Sequence, residues 1–239
     1  IGTKLKSHGF DLMVDLAGPK VLVGDLSHSI DLQDDQVVFI EKQMPEKSYP
    51  VWEGESDDSY PRPVTLPCYF NLIEFVKIGD SFLIDDGKVV LEVIAVKKNG
   101  VSLKVVHGGK VKSHKGINLP DSEVDIPFLV PRDKSMLSEV LPVLKPKYIA
   151  PSFVKTKADI DLLLSFVEEI KQKANLPDYN PEICTKLEMG SAVKSGNLLD
   201  IINCSGMLMI ARGDLALETK PNHIKVPFLQ EEIIKECRK

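Results

Sequence analysis

The hydrophobic period of this chain changes twice along its length, and that change limits the possible fold more than any other feature. Towards both ends, short apolar runs suited to buried strands occur at Leu12 to Asp15, Tyr148 to Ser152, Ile183 to Leu187 and Gly206 to Ala211. Between them lie stretches of helical spacing: Ser135 to Leu144, and Asp159 to Lys173 with Ile160, Leu163, Leu164 and Val167 on one face. Strands alternating with helices predict a parallel sheet or barrel. From about Val23 to Lys115 the period is two instead. Val89, Leu91, Val93 and Ala95 alternate with Glu92 and its neighbours, and Asn99-Gly100 predicts a hairpin turn into Val101, Leu103 and Val105. Asp85-Asp86-Gly87 predicts a second turn of the same kind, with its aspartates as turn-formers rather than ligands.

The expected architecture is therefore α/β, a parallel sheet or barrel interrupted by a small inserted β domain. Residues 1–22 form the first part of the barrel, 23–115 the inserted β domain and 116–239 the second part. Within the insert, Tyr49 to Pro67 holds Pro50, Pro61, Pro63 and Pro67 with Glu53, Glu55, Asp57 and Asp58, and reads as a mobile surface loop. Pro227 to Lys239, with Phe228, Leu229, Ile233 and Ile234, predicts an amphipathic helix packed on the barrel.

Charge and cysteine usage remove several function classes. Thirty basic against 35 acidic residues give a net charge of −5, so nothing draws the whole molecule to nucleic acid or an anionic membrane. Any bound phosphate must be held by local groups. Cys68, Cys184, Cys204 and Cys237 are scattered, without a Cys-x-x-Cys pair, and read as buried thiols in a reducing compartment. The most apolar run, Gly206 to Ala211, is far short of the ~20 residues that span a bilayer. With no basic-then-apolar secretory pattern at the start, a cytoplasmic location is expected. Ile1 in place of methionine predicts that coding sequence precedes it.

Polar residues collect at the ends of the predicted barrel strands, where such barrels place their active sites. These are Asp15, Ser152, Lys186 with Glu188, and Arg212 with Asp214. Lys186 and Glu188 are two apart and point to one side of a strand. Glu188 and Asp214 are carboxylates at the ends of successive strands and could share one hard cation, since magnesium takes oxygen ligands and only one or two protein carboxylates. A lysine beside such an ion suits an anionic substrate whose charge grows in the transition state. A structural salt-bridge network is the competing reading. His107 and His114 have no third ligand nearby and read as surface or hinge histidines, and Arg212-Gly213-Asp214 ends an apolar strand rather than an adhesion loop.

The segment Cys184-Thr-Lys-Leu-Glu188, followed by Gly206-Met-Leu-Met-Ile-Ala-Arg-Gly-Asp-Leu-Ala-Leu-Glu218, resembles two strands of pyruvate kinases, the second known for its "MVARGDLG" motif. Asp15-Leu-Ala-Gly-Pro-Lys20 is similar to their "DTKGPE" segment. Phe82 to Gly87, His107-Gly-Gly109 and Lys115 to Pro120 resemble their lid domain, and Ala150-Pro-Ser-Phe153 the strand that follows. The resemblance implies phosphoryl transfer from phosphoenolpyruvate to ADP, giving pyruvate and ATP in glycolysis, with Mg2+ and K+ as cofactors. It further implies that Lys186 stabilises the phosphoryl group in transit and that Glu188 and Asp214 hold magnesium. Arg212, Gly213 and Asp214 would border the carboxylate of phosphoenolpyruvate, Ser152 would line the substrate site, Lys115 would face the nucleotide phosphates and Asp15 would bind potassium. The fold it implies is α/β, an incomplete TIM (β/α)8 barrel with an inserted small β-barrel lid domain, and a homotetramer is implied for the full-length protein.

The chain also departs from that family. Leu22 and Lys20 replace a basic residue and a glutamate of the "DTKGPEIR" segment, and Lys155 replaces an arginine, keeping charge but losing the bidentate fork. Ser7-His8-Gly9 echoes the end of the family's "NFSHG" motif but lies too close to Asp15 for the intervening helix. The first two barrel strands, those after Leu215 and the carboxyl-terminal domain are expected to lie outside this chain. Residues 1–239 alone are accordingly expected to lack kinase activity and to be poorly stable. Two alternatives stay open at this point: a catalytically inactive homologue, and a magnesium-dependent lyase or aldolase of an enolpyruvate-like substrate.

Overall fold

A computed structural model of the chain describes residues 2, 7–41, 64–68, 70–122, 124–193, 195–219 and 224–239. The chain divides into two compact units, Ile1–Pro19 with Ile126–Lys239, and Lys20–Asp125. The dividing points differ from the expected ones at 22 and 115. Val21 and Leu22 pair with Ile117 and Gly116 inside the smaller unit, so hydrogen bonding carries both segments into it.

Strand β1 (Met13–Asp15) opens the larger unit, and the chain then builds the smaller one before returning. The smaller unit contains β2 (Val21–Leu22), β3 (Ile30–Leu32), β4 (Val37–Glu41), β5 (Val64–Leu66), β6 (Ser81–Ile84), β7 (Val89–Lys97), β8 (Gly100–His107), β9 (Gly109–Val111) and β10 (Gly116–Asn118). One sheet runs in the order β2-β10-β6-β7-β8-β4-β5, and β3 pairs separately with β9. Val23, just after β2, bridges Cys68, just after β5, and the Gly24 N–H donates to the Pro67 carbonyl at 2.8 Å. The two outer strands of the sheet thus meet, and closure removes the exposed edges that an open sheet would present. Period-two alternation drives this: Val89, Leu91, Val93, Val101, Leu103 and Val105 all face inward and are buried.

Details of the insert depart from the sequence reading. Val64–Leu66 of the predicted loop is a strand, parallel to Val38–Ile40, while residues 49–63 of that loop lie outside the described residues. The hairpin turn between β7 and β8 is Lys98-Asn99, one residue earlier than expected. Gly100 instead pairs with Lys97 and Glu41, at a place where a Cβ would press on the Ile40 carbonyl and the Phe39 ring, so that glycine fits there. Asp85, Asp86 and Gly87 take left-handed φ values of 52°, 58° and 80°, so the aspartates do form a turn.

The larger unit continues with α1 (Pro131–Leu144), β11 (Tyr148–Ala150), α2 (Lys157–Lys173), β12 (Glu182–Leu187), α3 (Ser195–Cys204), β13 (Met207–Ile210), α4 (Arg212–Glu218) and α5 (Val226–Cys237). Its sheet runs β1-β11-β12-β13 with every pair parallel. Four parallel strands joined through helices form part of an α/β barrel, as the alternation of strands and helices predicts. Leu137 and Leu141 of α1, Ile160 and Leu163 of α2, Ile149 and Leu187 of the strands and Ile201 of α3 close the core. Leu164 is instead 40% exposed, and Ile170 takes the fourth core position of α2. In α5 only Val226 and Ile233 are buried, seven residues apart and two helical turns, which turns Phe228 and Ile234 outward.

Candidate active site

Lys186 and Glu188 stand at the carboxyl end of β12, and β-strand geometry sends both side chains to one side. The Lys186 Nζ lies 2.9 Å from Glu188 Oε1, 3.2 Å from Asp15 Oδ1 and donates to Ser152 Oγ at 2.7 Å. Three neighbouring parallel strands, β1, β11 and β12, therefore bring their terminal polar residues onto one ammonium. The second Glu188 oxygen, Oε2, accepts the Phe153 N–H at 2.8 Å.

Burial sets the electrostatics. Glu188 is only 2% exposed, and loss of water raises its pKa. The Lys186 ammonium and the Phe153 N–H oppose that rise, while the negative charge of Asp214 adds to it. For Lys186 burial disfavours the charged form, but bonding to Glu188 and Asp15 outweighs it and raises the pKa. The lysine is therefore a full cation at neutral pH, fixed in place rather than waving in solvent.

Asp214 does not sit at a strand end. The β12 to β13 ladder reaches Leu187 and Ile210, the Ala211 N–H still donates to the Leu187 carbonyl, and the helix starts when Leu215 N–H donates to the Ala211 carbonyl. Arg212, Gly213 and Asp214 thus form the first turn of α4. Asp214 therefore lies on a helix rather than at a strand end, yet close enough for its charge to act on Glu188. A Cβ on Gly213 would meet nothing within 4 Å beyond its own helix, and Arg212 and Gly213 are both exposed.

Lys115 belongs to the smaller unit, where its Nζ pairs with Asp85 Oδ1 at 2.8 Å. Lys115 and then Lys88 hold the Asp85 carboxyl below its ordinary range. His114 is exposed and its Nε2 lies 2.7 Å from Asp25 Oδ1, and among the described residues no group of three or more His, Cys, Asp or Glu could hold a metal by itself. All four cysteines are free. Cys68 and Cys184 are buried, with the Cys68 thiol pushed up to about 11, whereas Cys237 is exposed, contrary to the expectation that all four are buried.

Two contributors escape a reading of the sequence. Phe153 supplies a main-chain donor, which no side-chain pattern announces. Asp133 is 1% exposed on the first turn of α1 and accepts the Gly18 N–H at 3.0 Å. Its place two residues after the Pro131 that opens the helix was the available signal.

The donor set fits a hard divalent cation: a buried glutamate and a nearby aspartate, both oxygen donors, with neither histidine nor cysteine hydrogen-bonded to Lys186 or Glu188 among the described residues. Glu188 pays for its burial with only partial compensation, and a cation would relieve that cost.

The fold and these groups define a class, α/β-barrel proteins whose chain leaves the barrel after a strand to build a closed β barrel. A sequence model described as the barrel domain of pyruvate kinase matches residues 3–239. A pyruvate kinase of Agrobacterium vitis is 34% identical over 230 residues, which cover 95% of this chain and 42% of that protein. One of Staphylococcus aureus (strain USA300) is 33% identical over 173 residues, 72% of this chain and 28% of that protein. Among solved structures, the Cryptosporidium parvum pyruvate kinase in complex with ADP superposes with a TM-score of 0.79 at 26% identity, covering 98% of this chain and 44% of that one. This chain belongs to the pyruvate kinase family. It spans less than half the length of the curated relatives it matches.

Proposed function

We propose that this chain carries the phosphoryl- and metal-handling part of a pyruvate kinase, which transfers a phosphoryl group from phosphoenolpyruvate to ADP. The observation that carries this reading is the Lys186 ammonium held at once by Ser152, Glu188 and Asp15. Phosphoryl transfer needs positioning and charge cancellation more than covalent help. A cation already oriented and partly withdrawn from water meets growing phosphoryl charge without reorganising. Glu188 and Asp214 would hold magnesium, which when bound polarises and neutralises phosphoryl oxygens. The exposed Gly213, on a helix start whose N–H groups lack intrahelical partners, suits the substrate carboxylate, with Arg212 beside it. Asp15 would take potassium while sharing its carboxylate with Lys186, and Lys115 would face nucleotide phosphates after releasing Asp85. A homotetrameric, cytoplasmic enzyme is the corresponding assembly and location. Among the described residues no helix is long and apolar enough to cross a membrane.

A second reading, a catalytically silent homologue, is favoured by Leu22, which lies in β2 where the family carries a basic residue. The complete gene product, given phosphoenolpyruvate, ADP, magnesium and potassium in a lactate dehydrogenase-coupled assay, separates the two. Pyruvate formation that requires ADP supports the kinase. Intact Mn2+ binding with no pyruvate formed supports the silent homologue.

A further inference from the structure

We propose that Asp133 is a positioning residue for the Lys186–Glu188 pair, acting through Gly18 and the Ser152-Phe153 turn. The proposal deepens the reading of this site given above and rests on it. A carboxylate in the first turn of a helix usually serves the helix, because the free N–H groups and the macrodipole favour negative charge there. Asp133 spends its Oδ2 elsewhere: it accepts the N–H of Gly18, 115 positions away in sequence, at 3.0 Å. Its Oδ1 is buried with no hydrogen-bond partner among the described residues. Burying a carboxylate so incompletely satisfied is costly and calls for a return in position.

Gly18 is the link. It follows β1 in the turn that begins at Asp15 and takes a left-handed φ of 70°. A Cβ there would lie 2.8 Å from Phe153 Cδ2, 3.0 Å from the Ser152 carbonyl oxygen and 3.1 Å from Ser152 Cβ. The Gly18 backbone therefore rests directly on the two residues whose polar groups hold the site, the Ser152 hydroxyl on Lys186 and the Phe153 N–H on Glu188. Phe153 itself is held at a φ of 59°, a conformation that an isolated phenylalanine would leave. Asp133 pulls Gly18 down onto this turn, and the turn fixes both charged side chains. Groups of this outer kind typically change metal affinity by about 10–100-fold.

The test uses the complete gene product in wild-type form and as Asp133→Ala, Asp133→Asn, Gly18→Ala and Leu141→Ala. Mn2+ alone is titrated by electron paramagnetic resonance, and labelling of Lys186 by an amine-reactive reagent is followed by mass spectrometry. Asp133→Ala should weaken Mn2+ binding by about tenfold or more and label Lys186 several times faster. Gly18→Ala, whose methyl group presses on Ser152 and Phe153 directly, should do the same and tests the turn alone, and Asp133→Ser, too short to reach Gly18, replaces Asp133→Ala with the same expected losses if that variant does not fold. Asp133→Asn keeps an oxygen acceptor for Gly18 and should restore near-wild-type values. Leu141→Ala, a core change in the same helix, should lower the Tm without moving either readout. Wild-type Mn2+ affinity and labelling in Asp133→Ala, or in Asp133→Ser where it takes its place, would overturn the proposal, as would equal losses in Leu141→Ala. If the wild-type protein binds no Mn2+, the metal reading of the site fails, and Lys186 labelling still decides the role of Asp133.

Discussion

Phe153 holds a left-handed backbone and from it donates its N–H to Oε2 of Glu188 at 2.8 Å. A non-glycine residue in that region costs on the order of 1–2 kcal/mol. The strain is local, but it aims a main-chain donor at a carboxylate that has almost no access to water. Glu188 is thereby held between an ammonium and an amide, with its orientation set before any ligand arrives.

Glu188→Gln and Asp214→Asn should each weaken Mn2+ binding by tenfold or more, because each removes one of few oxygen ligands of full charge. Electron paramagnetic resonance titration of the complete gene product measures this. Unchanged affinity in both variants would remove the assignment of the pair to a metal.

Lys186→Met should lower turnover far more than it raises the KM for phosphoenolpyruvate. The lysine meets charge that grows in the transition state, and loss of one such preorganised group costs about 3–4 kcal/mol, on the order of a factor of several hundred. Ser152→Ala removes a single neighbouring hydrogen bond of about 1 kcal/mol and should cost about fivefold. A KM effect with turnover preserved would make Lys186 a ground-state binder only.

The Lys115–Asp85 pair should make the smaller unit sensitive to acid. The folded-state pKa of Asp85 lies below its ordinary value of 3.8, so the folded state binds fewer protons. Its contribution is complete above that ordinary value and is lost as the pH falls through the lower, folded one. Thermal melts in acid should therefore drop more steeply for wild type than for Asp85→Asn, whose amide tolerates the same left-handed turn. Parallel pH curves for the two proteins would contradict this.

Gly100→Ala should destabilise the β barrel by about 1–3 kcal/mol, since the added methyl group presses on a carbonyl oxygen and an aromatic ring that cannot both retreat. Gly79→Ala, where a Cβ would meet nothing within 4 Å, should cost less and only through its φ of 91°. Urea denaturation distinguishes the two, and equal midpoints would show that the wall around Gly100 yields.

What the chain determines locally, it determines through periodicity. Alternation at Val89, Leu91 and Val93 and at Val101, Leu103 and Val105 commits those segments to strands with one buried face, and helical spacing at Ile160, Leu163 and Val167 commits theirs to a helix. Lys186 and Glu188, two apart on a strand, had to share a side. Tertiary structure decided whatever depends on partners distant in sequence. The bridge from Val23 to Cys68 that closes the β barrel, the reach of Asp133 to Gly18 and the meeting of Asp15, Ser152 and Lys186 have no local signature, because strand order brings those residues together. Periodicity also cannot choose between neighbouring apolar residues on a helix. Leu164 and Phe228 face water because the core offers each helix one narrow stripe, and Val167 with Ile170, and Val226 with Ile233, fill it.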